Sequence, residues 1–206
     1  MEANGIPRGN SKFPLGNKNI CVSIFANIRL RVKRDMGRIE RNILGIDPGL
    51  ANTGWGIVSQ AGPRLACVAY GCISTSKELP IEQRLRKIHE QMTAVIERFG
   101  PICVGIETVW FGVNAQSAFA TGQARGAALV ACAEGGLKVG EFSPSQIKLA
   151  VVGTGQADKG QVQYMVQQLL RLDDVPQPDH AADALAAAIC YTTHEGFASA
   201  AQGGAQ

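Results

Sequence analysis

No stretch of this sequence strings together the roughly 18 apolar residues that a membrane-spanning helix needs. The longest uncharged run, residues 108–124, is interrupted by Asn, Gln, Ser and Gly, so a membrane protein is excluded. No CxxC pair occurs among the six cysteines at positions 21, 67, 72, 103, 132 and 190. They lie mostly within apolar segments, where cysteine behaves as a small hydrophobe, and are expected to be reduced thiols of a cytoplasmic protein. There is also no GxxxxGK[ST] loop, no HExxH and no GxSxG, which removes P-loop, zinc-protease and serine-hydrolase chemistry. Gly153-Thr154-Gly155 lacks the remainder of a dinucleotide fingerprint. What is present, 206 residues at 46% hydrophobic and a mean hydropathy of +0.03, suits one globular domain with a tail.

The net charge of +3 is unevenly placed. Residues 1–40 hold eight Lys/Arg against three Asp/Glu, leaving residues 41–206 at −2. The folded part is therefore slightly acidic, and the basic whole-chain pI is no evidence of a nucleic-acid surface. The first 40 residues are rich in Gly, Asn, Pro and basic residues without sustained periodicity, so a disordered extension is expected there, with a single folded domain over 41–194 and a disordered tail over 195–206.

Within the domain, residues 43–47, 55–59 and 65–74 read as three strands separated by Gly-containing loops. Ile81, Leu85, Ile88, Met92, Val95, Ile96 and Phe99 recur at spacings of three and four, the period of an amphipathic helix, which Gly100-Pro101 ends. Residues 102–107 and 137–142 are further strands, and residues 114–134 a helix of small residues. Ser143-Pro144 is an N-cap followed by a first helical residue. Residues 162–172 and 179–191 are the last helices. Three strands followed by alternating helix and strand predict an α/β mixed sheet, its first three strands antiparallel, with helices on both faces.

Two acids occupy the same unusual place: Asp47 ends Ile-Leu-Gly-Ile-Asp, and Glu107 ends Ile-Cys-Val-Gly-Ile-Glu. Acids closing central strands of such a sheet project into the crevice where these folds build their sites, although either alone could simply cap a turn. In Pro-Gln-Pro-Asp-His-Ala-Ala-Asp, residues 176–183, His180 and Asp183 are three apart and share a helical face. Asp179 reads most simply as the N-cap. Three carboxylates and an imidazole brought together repel and desolvate one another unless divalent cations sit among them, and an oxygen-rich set suits Mg²⁺ or Mn²⁺. A pair of such ions is suited to phosphodiester hydrolysis.

Five motifs in order carry a resemblance. They are Ile-Leu-Gly-Ile-Asp-Pro-Gly with Thr53-Gly54, Gly105-Ile-Glu-Thr-Val-Trp-Phe with Asn114, Thr-Gly-Gln-Ala-Arg-Gly at 121–126, Val-Val-Gly-Thr-Gly at 151–155 with Lys159, and Asp179-His-Ala-Ala-Asp-Ala-Leu-Ala. Over about residues 42–194 the chain resembles the RuvC family of bacterial Holliday-junction resolvases, which have the ribonuclease H fold. The resemblance implies that Asp47, Glu107 and Asp183 are metal-binding acids, with two ions per site, and that His180 joins them where many members have aspartate and some histidine. It implies that Lys148 and Lys159 lie near the scissile phosphate and junction backbone, and that Trp110 and Phe111 stack on unpaired bases at the junction centre. Stacking of this kind contributes about 1–3 kcal/mol per base, whereas core packing would explain one of the two aromatics equally well. Arg125 either binds phosphate or pairs with an acid. The family acts as a homodimer on a four-way DNA junction, with the helix at 114–134 as the expected dimer element, and works with the RuvA and RuvB branch-migration proteins. Two other readings stay open: a junction-binding protein with little or no nuclease activity, and a ribonuclease H-fold nuclease for another nucleic acid. An actin-like sugar kinase would share the Gly-Ile-Asp-x-Gly start, but the chain is too short for its two halves.

Overall fold

Strand β1 (Arg41–Asp47), β2 (Asn52–Ala61) and β3 (Arg64–Ser74) form an antiparallel meander. Between β2 and β3 the chain reverses at Gly62-Pro63, with Gly62 at φ 63°, a left-handed conformation that glycine adopts without steric cost. The computed structural model describes residues 40–108 and 115–203, with side chains as far as residue 194. Helix α1 (Ile81–Phe99) has the bounds the periodicity predicts, and Gly100 closes it in the left-handed region with its N–H donating to Ile96 O. After it come β4 (Cys103–Glu107), α2 (Ala115–Glu134), β5 (Lys138–Phe142), α3 (Pro144–Val152), α4 (Lys159–Leu170) and α5 (Asp179–Gly203). The sheet order is β3-β2-β1-β4-β5, with β4 parallel to β1 and β5 parallel to β4. This is the expected mixed sheet.

Three local readings need correction. Helix α4 starts at Lys159 rather than 162, because Asp158 and Gln161 form a reciprocal capping box; it stops at Leu170, with Arg171 in the left-handed conformation. Strand β2 starts at Asn52, earlier than position 55, because its pairing with β3 continues to Asn52↔Ser74. Helix α5 runs to Gly203 instead of ending at 191, so residues 195–203 of the expected disordered tail are helical. Residues 192–203 contain no proline, and a single interior glycine costs a helix only about 1 kcal/mol. The cap at Ser143 is as expected, completed by a reciprocal bond with Gln146.

Side chains alternate across β1 and β4. Leu44, Ile46, Val104 and Ile106 share one core with Ile88, Met92 and Val95 of α1 and Ala124 and Ala128 of α2. Ile43 and Cys103 share the other with Ile147 and Val151 of α3, Val162 and Val166 of α4 and the alanines of α5. Helices thus cover both faces.

On the α5 face, Gly56, Gly45, Gly105 and Gly140 stand in register on four neighbouring strands. Together they form a groove without side chains, and the Ala-rich helix lies in it. A Cβ added at Gly45 would stand 1.8 Å from Ala184 O, and one at Gly105 would stand 2.3 Å from Ala187 O. Helix backbone therefore rests almost directly on sheet backbone. Along the same line, a Cβ on Gly54 would stand 1.9 Å from His180 O. The groove thus fixes where the first turn of α5 lies.

Candidate metal and nucleic-acid site

Asp47 and Glu107 end adjacent parallel strands. The β1–β4 register runs to Ile46↔Ile106, so the two acids follow side by side, on the same face as Gly45 and Gly105 by strand alternation. That face is the one α5 covers, and Gly54, paired with Asp47 across β1 and β2, seats the first turn of α5 beside it. His180 Nδ1 consequently lies 2.6 Å from Asp47 Oδ2. Asp47, His180 and Asp183 each offer a ligand atom, all within 4.8 Å of one another, and each is half-buried.

Burial dominates the electrostatics of this group, with the acids raising one another and nearby cations opposing them. Burial, reinforced by the negative charges of Asp47 and Asp183 and opposed by Lys148, pushes the Glu107 carboxyl up to about 7. Burial and then Asp47 also raise Asp183, against the pull of Lys159. Two carboxylate oxygens and an imidazole nitrogen converging from two elements, with a third acid electrostatically coupled to them, is a donor set that fits a hard or borderline divalent cation.

The flanking cations fall in two places. Lys159, the first residue of α4, holds its Nζ 3.0 Å from Asp179 and 3.5 Å from Asp183. Lys148 on α3 is half-buried and close enough to Glu107 to oppose the rise in its pKa. Arg125 on α2 is paired with Glu141 of β5, one of the two kinds of partner expected of it. Its Nε is buried without a hydrogen-bond partner among the described residues, and it lines a depression of about 450 Å³ with Thr108, Phe119 and Gln123. Trp110 and Phe111 lie outside the described residues.

Asp179 does not cap α5 from outside. It is the first helical residue, and the Lys159 ammonium holds its carboxyl below the usual range. The positioning glycines Gly45, Gly54 and Gly105 also escaped the sequence reading. Their signal was present in both acid motifs, Gly-Ile-Asp and Gly-Ile-Glu, where glycine stands two residues before each acid and so on the same face.

The family model for the crossover junction endodeoxyribonuclease RuvC matches residues 43–191. The chain belongs to the RuvC family. RuvC of Treponema denticola is 52% identical over 147 residues, which span 71% of this chain and 83% of that protein. RuvC of Desulforamulus reducens is 46% identical over 149 residues, 72% of this chain and 91% of the relative. The RuvC of T. thermophilus, solved in complex with Holliday junction substrate, superposes with a TM-score of 0.73 at 34% identity, covering 77% of this chain and 96% of that one. A yeast mitochondrial Holliday junction resolvase, at 12% identity and a TM-score of 0.51, shares the fold alone. Among the described residues no helix is long and apolar enough to cross a membrane.

Proposed function

We propose that this chain is a crossover junction endodeoxyribonuclease that resolves four-way DNA junctions in recombination and repair, cutting opposed strands symmetrically to leave 5′-phosphate and 3′-hydroxyl ends. The observation that carries the reading is the convergence of Asp47, His180 and Asp183 within 4.8 Å at the strand ends, with Glu107 coupled to them, in a chain whose family membership covers all four. Asp47, Glu107, His180 and Asp183 would hold two Mg²⁺ or Mn²⁺ ions, which supply a lowered pKa for the attacking water and stabilisation of the leaving oxygen. The protein's own part is placement. The Asp47 carboxylate fixes the His180 ring through the 2.6 Å contact, so the tautomer and orientation of the ring are set from β1.

Lys148 and Lys159 receive the phosphate backbone on either side of the acids, and Trp110 with Phe111 stacks on bases at the junction centre. Glu141 holds Arg125 at the edge of the site. The protein works as a homodimer through α2, where Phe119 is 66% and Val130 51% exposed and a Cβ on Gly122 or Gly126 would meet open space. Two-fold symmetry of the enzyme then matches that of the junction. RuvA and RuvB are its partners in branch migration, and the cytoplasm is its compartment.

The test is incubation of four-way junction, linear duplex and RNA–DNA hybrid with protein and Mn²⁺. Two symmetric, ligatable nicks in the junction alone are expected. Cutting of the hybrid in preference to the junction would overturn the reading. Asp47→Asn, Glu107→Gln and Asp183→Asn should each reduce cutting by about a thousandfold or more while junction binding persists.

A further inference from the structure

Asp179 has no part in the chemistry above, yet it makes the shorter of the two contacts to Lys159, 3.0 Å against 3.5 Å for Asp183. Lys159 is the first residue of α4, and Asp179 the first of α5. A cation is disfavoured at a helix N-terminus, so nothing in α4 itself keeps the ammonium near the acids. Its two anchors differ in kind. Asp183 belongs to the ligand group and Asp179 does not. A carboxylate engaged by a divalent cation is a poor partner for an ammonium, and the cation also repels the ammonium directly. With Asp183 so engaged, Lys159 would swing into solvent unless the second carboxylate kept hold of it.

We propose that Asp179 is a positioning residue that keeps the Lys159 ammonium beside the site once Asp183 is occupied. The proposal rests on the reading that Lys159 contacts junction phosphate. It differs from a helix-capping role, because a cap or a helix-dipole effect acts on α5 whether or not Lys159 is present.

A double-mutant cycle separates the two. Under single-turnover conditions with saturating Mn²⁺, Asp179→Asn should slow junction cutting about tenfold, as expected of a misplaced contact group, with junction affinity nearly unchanged. Asp179→Glu should recover most of the rate. Lys159→Ala should be slower still, and adding Asp179→Asn to it should change nothing. The proposal is overturned if Asp179→Asn cuts like the wild type, or slows the Lys159→Ala protein by the same factor. A readout without metal or substrate is the ¹⁵N signal of the Lys159 ammonium, visible when the group is held. It should survive Asp183→Asn, where Asp179 alone remains to hold it, and vanish when Asp179→Asn is added; loss already in Asp183→Asn makes Asp183 the holder and overturns the proposal. If the wild type makes no junction nicks, the functional reading fails, while the ammonium signal still decides the hold.

Discussion

The two faces of the sheet are packed by opposite rules. Under α1 and α2, Leu44, Ile46, Val104 and Ile106 share a core with Ile88, Met92 and Val95, large aliphatic side chains on both sides of the contact. Under α5, Gly45 and Gly105 meet Ala184 and Ala187 backbone to backbone, while Gly56 and Gly140 beside them make room for the side chains of Leu185 and Tyr191. Interdigitated aliphatic groups adjust their rotamers when one changes, whereas touching backbones have no such freedom. The side that carries His180 and Asp183 is the side without slack. A ligand group confined to 4.8 Å needs that stiffness, because small misplacements at a reacting centre are costly.

The sharpest test of this contrast is Gly45→Ala. Its methyl group would stand 1.8 Å from Ala184 O, so either α5 moves or the fold fails. We expect a loss of about 4 kcal/mol or more in urea unfolding, at the upper end of single-substitution effects, or no folded protein. A loss near that of Ile88→Val, about 1 kcal/mol, would erase the distinction between the faces.

Next in size is Met92→Ala on the opposite face. A cavity there should cost roughly 3 kcal/mol, while the single-turnover cutting rate of the folded fraction stays at the wild-type value. A matching fall in rate would show that the site senses both faces.

A smaller effect follows from the raised pKa of Glu107. The unfolded chain ionises this group from its usual value near 4.5, the folded protein only near 7. The contribution of Glu107 to metal-free stability should therefore be fullest below about 4.5, fall as pH rises to about 7, and then level off. Glu107→Gln removes that loss. With a chelator present it should stabilise the protein by roughly 1–2 kcal/mol at pH 8 and by almost nothing at pH 4. A gain independent of pH would mean that the penalty comes from packing, not charge.

The smallest effect expected is at His180. Imidazole suits Mn²⁺ better than Mg²⁺, so Mn²⁺ should support faster cutting, and His180→Asp should narrow the Mn²⁺/Mg²⁺ rate ratio severalfold. An unchanged ratio would place the ring outside the ion's reach.

The same contrast explains what could be read in advance. Helix α1 was legible to the residue because it is half-buried, and half-burial leaves a three-and-four spacing in the sequence. Helix α5 is buried on nearly every side from Ala181 to Tyr191, so it carries no such spacing, and its true end was missed. The acids at 47, 107 and 183 were visible because an acid closing a buried strand or entering an Ala-rich helix breaks the local pattern. The glycine row was not visible as a row: Gly56, Gly45, Gly105 and Gly140 become neighbours only through strand register, a relation between distant segments. Asp179 was misread for a related reason. A local rule offers an N-cap at that position, while the partner that claims the carboxylate, Lys159, comes from another helix.

The Asp47–His180 contact spans 133 residues of chain, which bears on how such a protein is made. A ribosome adds residues at about 5–20 per second, so roughly 7–27 seconds separate the emergence of Asp47 from that of His180. Throughout that interval the groove of glycines is bare, and Asp47 has neither imidazole nor second helix-borne carboxylate beside it. On the proposed reading of the site, a chain that stops short of α5 should not cut DNA. The element that finally covers the sheet would then also be the one that completes the site, so a polypeptide released early would be both unstable and harmless.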